Sequence, residues 1–322
     1  MIKVSVIIPA YNAEKDICQC VDSVVGQTLK EMEIIIIDDG STDQTGVILD
    51  ERYGKYPNVK IIHQDNKGLY ATRKRGLSMA EGEYVGWVDA DDFVSTEMFQ
   101  KLYQTAKEND SDLAMCDYDW FPAKSKMKEK WFRPYTGKKD THFVERNSQP
   151  WNKIVRRELL ESLHVGEHFE SCFDEIYIRV LIEAKNPVCV PEKLYFYRIA
   201  ENSMSSSYKN IEHYKRFVTA SLALRRAMQD LTEKSDYWKQ YFDYRISYYR
   251  LMTVIVASNA GDRECYNRTR HDLWKERPSF RKNMHFWPVL RENFGPLKAF
   301  VIGEVIPMNY QIARTVCLLA FH

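Results

Sequence analysis

The chain has 322 residues, 44% of them hydrophobic and 28% charged, with a formal net charge of +1 at pH 7. This length suits one large domain or a domain with a smaller appendage, and the composition is that of an ordinary globular protein. No stretch approaches eighteen uninterrupted apolar residues, which argues against a helix that spans a membrane.

The N-terminus begins directly with a strand pattern and shows no signal peptide. The seven cysteines are odd in number and irregularly spaced, so they do not form a disulfide framework. Free thiols in a reducing compartment explain them more simply. We therefore expect a cytoplasmic protein.

Short apolar runs rich in β-branched residues alternate with helical patterns in the first hundred residues. The predicted strands are residues 4–9, 33–37, 59–62 and 84–88. One such strand recurs about every 25 residues, which indicates βαβ units and a parallel sheet. The predicted fold class is therefore α/β, with a mainly parallel central sheet.

Each predicted strand is followed by polar residues. These are Tyr11-Asn12, Asp38-Asp39, Asn66-Lys67-Gly68 and Asp89 to Asp92. Because the carboxyl ends of parallel strands meet at the same end of a sheet, we expect a nucleotide site there. Neither a Gly-x-Gly-x-x-Gly pattern nor a P-loop occurs, so a dinucleotide or P-loop site is not expected.

The fourth strand ends in three carboxylates within four residues, Asp89, Asp91 and Asp92. Bringing two of them together in a crevice is costly unless a positive charge neutralises them. A divalent cation that carries a diphosphate would do so, and hard oxygen ligands suit Mg²⁺ or Mn²⁺. The alternative is a solvated acidic turn, or a helix N-cap formed by Asp92 before Phe93.

Four segments, taken together, resemble the motifs of the family-2 glycosyltransferases in order, spacing and strand context. They are residues 6–12, 37–43, 68–76 and 88–92, and a looser similarity continues through 151–153 and 195–198. This resemblance implies an inverting enzyme with the Rossmann-like GT-A fold, of the type that builds bacterial surface polysaccharides in the cell envelope. Beyond about residue 210 no resemblance is found.

The resemblance also implies roles for individual residues. Asp39 would accept a hydrogen bond from the uracil ring N–H, and Asp89 would contact the ribose. Asp91, with Asp89, would ligate the Mn²⁺ or Mg²⁺ that bridges the diphosphate. The implied nucleotide-sugar contacts are Pro9, Ala10, Tyr11, Asp39, Lys67, Gly68, Arg73, Asp89, Ala90, Trp151 and Arg198. For Asp38, Asp43 and Asp92 the alternative role is capping or turn formation.

Further along the chain, two of these side chains have alternative interpretations. Trp151 could stack on a sugar or fill the core, and Arg198 could reach the diphosphate or stack on surface aromatics. Residues 117–150 include a lysine-rich run and could form a loop over the substrate. Separate short strands are predicted at residues 188–190 and 194–198.

The resemblance leaves two candidates for the catalytic base. In the resembling family, a Glu-Asp pair at the head of a helix supplies an aspartate that faces the acceptor. Here the corresponding pair is Asp174-Glu175, in the reverse order. Successive helical residues point about 100° apart, so only one of them can face the cleft. Residue type favours Asp174, position within the pair favours Glu175, and both could simply complement the helix N-terminus.

The net charge is unevenly distributed along the chain. Residues 209–322 contain 19 Lys and Arg against 11 Asp and Glu, a balance of +8, and the total of +1 leaves −7 for residues 1–208. We therefore predict a catalytic domain over 1–208 and a helical region over 209–322. The second region would contact the acceptor or, peripherally, the inner face of the cell membrane. The alternative is a solvated basic domain.

The predicted activity is transfer of a hexose or N-acetylhexosamine from a UDP-sugar to a hydroxyl of a glycan or lipid-linked acceptor. No nucleic-acid partner is expected. Two other functions remain open at this point. A nucleotidyltransferase could use a similar sheet, although its glycine-rich, lysine-bearing loop is missing. A non-catalytic sugar-nucleotide sensor would need the binding residues but no base.

Overall fold

The computed structural model describes residues 1–122, 134–164, 173–199, 211–276, 280–305, 307 and 309–313. The contacts divide the chain into two compact units, Met1–Ala200 and Glu201–His322. Each unit is described by itself below.

The first unit combines a mixed sheet with helices. Its strands are β1 (Val4–Ala10), β2 (Met32–Asp38), β3 (Val59–His63), β4 (Tyr84–Trp87), β5 (Phe93–Val94), β6 (Leu113–Phe121), β7 (Lys153–Arg156) and β8 (Val188–Arg198). Its helices are α1 (Ile17–Val25), α2 (Thr45–Tyr53), α3 (Leu69–Met79), α4 (Met98–Glu108), α5 (Thr141–Arg146), α6 (Arg157–Ser162) and α7 (Phe173–Glu183).

The described strands form one sheet in the order β3-β2-β1-β4-β7-β6-β8-β5. Strands β1 to β4 are mutually parallel where they pair, and β8 runs parallel to β6. Strand β7 is antiparallel to both of its neighbours, and β5 is antiparallel to β8. The predicted α/β fold class with a mainly parallel central sheet is confirmed.

Strand β1 is buried along its whole length because helices cover both faces of the sheet. Its alternate residues Val4, Val6 and Ile8 belong to the core cluster that also contains buried residues of α1 and α4. Ile7, which points to the other face, lies against α3.

The contact between α3 and β1 depends on a glycine. A Cβ added to Gly76 would lie 2.4 Å from Cγ2 of Ile7, closer than packed carbon atoms allow. A larger residue here would push the helix away from the strand, and overpacking of this kind typically costs about 1–3 kcal/mol. The small residue therefore sets how closely α3 approaches the sheet.

Several local predictions were wrong. Residues 188–190 and 194–198 belong to one strand, β8, which pairs with β6 across a register irregularity near Asp117. Phe93 begins the two-residue strand β5 rather than a helix, so Asp92 is not a helix cap. In the segment 117–150, strand β6 continues to Phe121 and residues 141–146 form α5. The lysine-rich run falls mostly in residues 123–133, which lie outside the described residues.

The second unit is helical, as predicted. Its helices are α8 (Ile211–Ala227), α9 (Gln229–Lys234), α10 (Asp236–Ala260), α11 (Arg263–Glu276) and α12 (Phe286–Phe300), followed by a π-helix at Val301–Val305. Helix α10 is largely buried and packs against α8 and α11. The Ser235 hydroxyl caps the start of α10. The residue after its last turn, Gly261, has a left-handed conformation with a φ of 76°, which glycine adopts readily.

Neither unit contains a described helix whose length and apolar character would let it cross a bilayer.

Candidate functional site

Hydrogen bonds connect the loops that follow β1 and β2. The backbone N–H of Asp39 donates to the carbonyl of Ala10 over 2.8 Å. The Asn12 side chain accepts from the N–H of Thr42 over 2.8 Å, and the Asn12 N–H donates to the Ser41 hydroxyl over 3.0 Å. These bonds hold the two strand exits side by side, as their parallel pairing requires.

Three predicted donor contacts lie at the end of β1. Pro9 and Ala10 are buried and pair with the last residues of β2. Tyr11 follows them and keeps 52% of its surface exposed. An exposed ring next to a strand exit is available to a planar ligand, and contact between Tyr11 and a base stays a prediction.

Asp39 holds the turn between β3 and α3. One carboxylate oxygen accepts from the Gln64 amide over 2.6 Å and from the Lys67 N–H over 2.9 Å. The other accepts from the Gly68 N–H over 2.8 Å. Gly68 has a φ of 84°, which a residue with a side chain adopts at a cost, and α3 begins directly after it.

The same hydrogen bonds determine the charge state of Asp39. Burial alone would raise its pKa, but the bonds from Gln64, Lys67, Thr72 and Gly68 outweigh burial and lower the pKa below the ordinary value. Asp39 is therefore an acceptor in this structure. Acceptance from a uracil N–H in addition to these bonds stays a prediction.

The buried guanidinium of Arg73 forms an ion pair with Asp89. The Arg73 side chain is 3% exposed, that of Asp89 is 25% exposed, and the N–O distance is 2.6 Å. Helix α3 brings the arginine to the end of β4, a contact that the sequence separation of sixteen residues does not reveal. Arg73 thus lies at the strand ends where the nucleotide site is predicted, and its observed partner there is Asp89.

Residues 88–92, here called the acidic turn, contain three aspartates with different surroundings. Asp89 pairs with Arg73. Asp92 is 1% exposed and accepts from the Tyr195 hydroxyl over 2.6 Å and from the Arg198 N–H over 2.7 Å. The Asp91 carboxylate accepts from its own backbone N–H, and it has no hydrogen bond or ion pair with any other of the described residues. Asp91 is thus the member of the three that is available to a ligand.

The closeness of the three aspartates in the acidic turn affects the pKa values of Asp91 and Asp92. Asp91 is exposed as a residue, but the protein around its carboxylate partly buries that group. This partial burial, and then the charge of Asp89, raises the pKa of Asp91 to about 6. Burial, and then the charges of Asp91 and Asp89, raises the pKa of Asp92. A cation bound between Asp89 and Asp91 would relieve this repulsion.

The residues present fit a metal ion that arrives with a substrate phosphate. Among the residues that the structure describes, no group of three or more His, Cys, Asp or Glu side chains is arranged to hold a metal. Mg²⁺ sites of phosphate-transferring enzymes commonly use one or two carboxylates and take further ligands from the substrate and water. The paired carboxylates Asp89 and Asp91 match that arrangement.

Other predicted site residues have structural contacts. Trp151 is 9% exposed and stacks on Tyr195, with ring centroids 4.5 Å apart. This is the core-packing alternative, and a sugar contact by Trp151 stays a prediction. Ala90 is buried in the same core cluster.

Arg198 is also engaged within the first unit. Its Nε donates to the Asp91 carbonyl over 2.7 Å and lies 3.2 Å from an Asp16 carboxylate oxygen. Its guanidinium lies over the rings of Phe121 and Phe93, at 5.1 and 5.9 Å. Arg198 contacts aromatic rings, which is the stacking alternative, and a contact with the diphosphate stays a prediction.

The candidate bases lie in the first turn of α7, which begins at Phe173. The side chains of Asp174 and Glu175 are outside the described residues. Their assignment stays a prediction.

Sequence reasoning missed three polar side chains of the site, Gln64, His63 and Tyr195. Tyr195 belongs to a segment that resembles the family, but nothing in its spacing indicates contact with residues about one hundred positions earlier. His63 bridges two carboxylates, with 2.9 Å from Nδ1 to Asp38 and 3.1 Å from Nε2 to Asp50.

Asp38 and Asp43 take the capping and turn roles that were the alternative for them. Asp38 accepts from the Ser41 N–H over 3.0 Å, and Asp43 accepts from the Thr45 N–H over 2.9 Å.

The sequence model described as "Glycosyl transferase family 2" matches residues 5–174. The uncharacterized glycosyltransferase EpsJ of Bacillus subtilis is 32% identical over 236 residues, which cover 68% of this chain and 69% of that protein. The cholesterol galactosyltransferase of Borreliella burgdorferi is 30% identical over 292 residues, which cover 84% of this chain and 81% of that protein.

Solved structures share the fold. S. aureus TarS 1-349 in complex with UDP-GlcNAc superposes with a TM-score of 0.70 at 20% identity, covering 98% of this chain and 92% of the other. The mannosyltransferase PcManGT from Pyrobaculum calidifontis, in complex with GDP-Man and Mn²⁺, has a TM-score of 0.53 at 14% identity, covering 98% and 87%. At these identities the similarity establishes the fold alone.

The contacts of His63 lead to a prediction about stability. Hydrogen bonds to Asp38 and then Asp50 raise the pKa of His63 above its ordinary value of 6.5. A raised folded-state pKa stabilises the fold below the unfolded-state pKa, and this contribution is lost as pH rises through the folded-state pKa. The advantage of wild type over His63→Gln in urea unfolding should therefore be largest below pH 6.5 and shrink above it.

The Asp50→Asn variant is the matched control for this experiment. It removes one of the two carboxylates, so the fall in stability should move to lower pH. Because the His63 side chain is 45% exposed, added salt should weaken the effect. A difference between wild type and His63→Gln that does not change with pH would contradict the prediction.

Proposed function

The chain belongs to glycosyl transferase family 2, and from that premise we propose that it is an inverting transferase that uses a UDP-sugar. The donor would be a UDP-hexose or UDP-N-acetylhexosamine, and the acceptor a hydroxyl of a glycan or lipid-linked saccharide. The observation that carries the proposal is the acidic turn, where the carboxylate of Asp91, unlike those of Asp89 and Asp92, has no side-chain partner among the described residues. Family membership argues against a nucleotidyltransferase.

The nature of the donor is supported by two kinds of evidence. The TarS structure was solved with UDP-GlcNAc and shares the fold of this chain. In this chain, an exposed Tyr11 and an ionised Asp39 lie next to each other at the ends of β1 and β2. A ring surface and a carboxylate acceptor suit a uracil base, whose ring N–H is a donor. Lys67 and Gly68 border the same place.

The sugar-transfer step needs stabilisation of the departing diphosphate. We infer that Asp91 and Asp89 hold Mn²⁺ or Mg²⁺ there, and this ion, when bound, would neutralise charge on the leaving group. Arg73 orients Asp89 through their ion pair, and Arg198 fixes the carbonyl of Asp91. The Mn²⁺ in the PcManGT complex supports a metal in this fold.

The second requirement is removal of the acceptor proton by a carboxylate. The burial of residues along α7 indicates which face of the helix each candidate base shares. Tyr177, Ile178 and Leu181 are fully buried, and they lie three, four and seven positions after residue 174. Tyr177 contacts Trp87, the last residue of β4, with ring centroids 5.7 Å apart. Position 174 thus heads the helix face that packs toward the end of β4, which favours Asp174 as the base.

Position 175 heads a different face of α7. Arg179 and Ile182, four and seven positions after it, are only half-buried, and Ile178, three positions after it, is fully buried. The burial pattern along α7 therefore favours Asp174, as residue type does, whereas position within the Asp174-Glu175 pair favours Glu175.

The proposed membrane contact of the second unit is argued from the positive charge of that unit. Its tryptophans are half-buried and contact neighbours within the unit, Trp238 beside Tyr241 and Trp274 beneath Arg281. Peripheral binding would therefore depend on basic residues and on the exposed side chains Met284 and Phe300. Each basic residue near an anionic surface contributes about 1 kcal/mol.

The metal-ligand role of Asp91 predicts that Asp91→Asn lowers UDP release from UDP-sugar and acceptor by at least about a hundredfold. The substitution removes a ligand charge with little change in volume, so thermal unfolding should stay close to wild type. Asp110→Asn, an exposed aspartate 94% accessible at its side chain, is the control and should retain activity. Full activity of Asp91→Asn, or turnover unaffected by a chelator, would rule out this role.

The assignment of the base predicts that Asp174→Asn loses turnover by about a hundredfold or more and retains affinity for the donor. Glu175→Gln, the matched control one position away, should keep most of its turnover. Turnover by coupled UDP detection and donor affinity by calorimetry are measured on the same preparations. The opposite pattern would identify Glu175, and normal turnover in both variants would place the base elsewhere.

Co-sedimentation with vesicles tests the membrane contact. The chain should bind vesicles that contain anionic lipid at low salt and be released at high salt, because counter-ions screen the basic residues. Neutral vesicles are the control. If anionic vesicles fail to retain the chain at low salt, the second unit is a solvated basic domain.

A further inference from the structure

One hydroxyl group of strand β8 contacts two residues of the acidic turn. Tyr195 is fully buried, and its hydroxyl lies between two residues of the turn. It donates to the Asp92 carboxylate over 2.6 Å and accepts from the Asp89 N–H over 3.2 Å. A hydroxyl has one proton to donate and lone pairs to accept, so both contacts are satisfied at once.

Asp92 also connects the turn to Arg198, a second residue of β8. Its second carboxylate oxygen accepts from the Arg198 N–H over 2.7 Å, and Nε of Arg198 donates to the Asp91 carbonyl over 2.7 Å. Within the turn, the Asp92 N–H donates to the Asp89 carbonyl over 3.0 Å. The backbone on both sides of the available Asp91 carboxylate is therefore held from β8.

The Tyr195 ring is itself held rigidly. It stacks on Trp151 with an interplanar angle of 25°, and its backbone pairs with Val94 of β5 and Tyr118 of β6. A hydroxyl placed by a stacked ring in a paired strand has little freedom to move. The position of the Asp89 N–H is consequently defined by the sheet and not by the turn alone.

We propose that Tyr195 and Asp92 are positioning residues, which hold Asp89 and Asp91 in the orientation that binds the metal and diphosphate. This inference rests on the proposed function. Neither residue touches the substrate in this role. Outer groups that orient metal ligands typically contribute 10–100-fold to metal affinity or activity, and a ligand displaced by about 1 Å can lose a hundredfold in rate.

The test compares two tyrosine variants that each remove one buried hydroxyl. Tyr195→Phe keeps the stacked ring and deletes the bonds to Asp92 and Asp89. Tyr84→Phe is the matched control, because Tyr84 is also fully buried in the sheet and its hydroxyl donates only to the Ser111 carbonyl, over 2.7 Å. Free Mn²⁺ is followed by its electron paramagnetic resonance signal in the presence of UDP, and UDP affinity without metal is measured by calorimetry.

Tyr195→Phe should weaken the binding of Mn²⁺ by about tenfold or more. Its metal-free affinity for UDP should stay near wild type, because the base-binding residues are on other strands. Tyr84→Phe should bind Mn²⁺ within about twofold of wild type. Thermal unfolding should shift by a similar amount in both variants, so a loss of metal affinity in one alone cannot come from general destabilisation.

Asp92→Asn provides an independent variant. It should also weaken Mn²⁺ binding, and the double variant with Tyr195→Phe should lose less than the two single losses combined, because both changes break the same connection. Equal Mn²⁺ affinity in wild type and Tyr195→Phe would overturn the inference. Absence of Mn²⁺ binding in wild type would overturn it together with the metal-assisted step, and UDP release by the same preparation would show whether sugar transfer still stands.

Discussion

The crowding of carboxylates at one end of a parallel sheet is the constraint on which the first unit depends. Parallel pairing of β1 to β4 brings four strand exits together, and two of them, those of β2 and β4, carry clustered aspartates. Like charges in a partly buried place are unfavourable unless each has a partner. The structure supplies a different partner for all but Asp91, namely backbone amides for Asp39, His63 for Asp38, Arg73 for Asp89 and Tyr195 for Asp92.

This distribution of partners explains why the site can be both stable and reactive. The compensated aspartates hold loops and strands together, and the Asp91 carboxylate keeps its capacity for an external ligand. Its pKa of about 6 reflects partial burial first and the charge of Asp89 second. The negative charges of Asp89 and Asp91 would attract a divalent cation. Phosphate oxygens of the substrate would then complete the coordination of that cation.

The partners come from elements whose positions are fixed by packing elsewhere. Helix α3 can deliver Arg73 to the end of β4 because Gly76 lets the helix lie directly on Ile7 of β1. Loss of one member of such a buried ion pair typically costs about 3–5 kcal/mol, so the close approach of the helix matters to the whole site. Strand β8 delivers Tyr195 because it crosses the sheet beside β6 and pairs with β5. Core packing and site geometry therefore depend on the same contacts.

The amino-acid sequence by itself determined the fold class, and it predicted the end of the sheet at which a ligand site is expected. Apolar β-type runs separated by helical patterns indicate βαβ units, and the polar residues after each run mark the end of the sheet where ligands bind. These features are local, since a strand and the loop that follows it are read from adjacent residues. For the same reason the resemblance to a glycosyltransferase family could be recognised from four short segments.

The tertiary structure alone decided which role each aspartate takes. Three aspartates within four residues look equivalent in the sequence, yet Asp92 is a buried acceptor and Asp91 is open to a ligand. The difference arises from Tyr195 and Arg198, about one hundred residues away, and from the antiparallel pairing of β5 with β8. Contacts over such separations depend on how strands pair and helices pack, and local residue patterns carry no record of that arrangement.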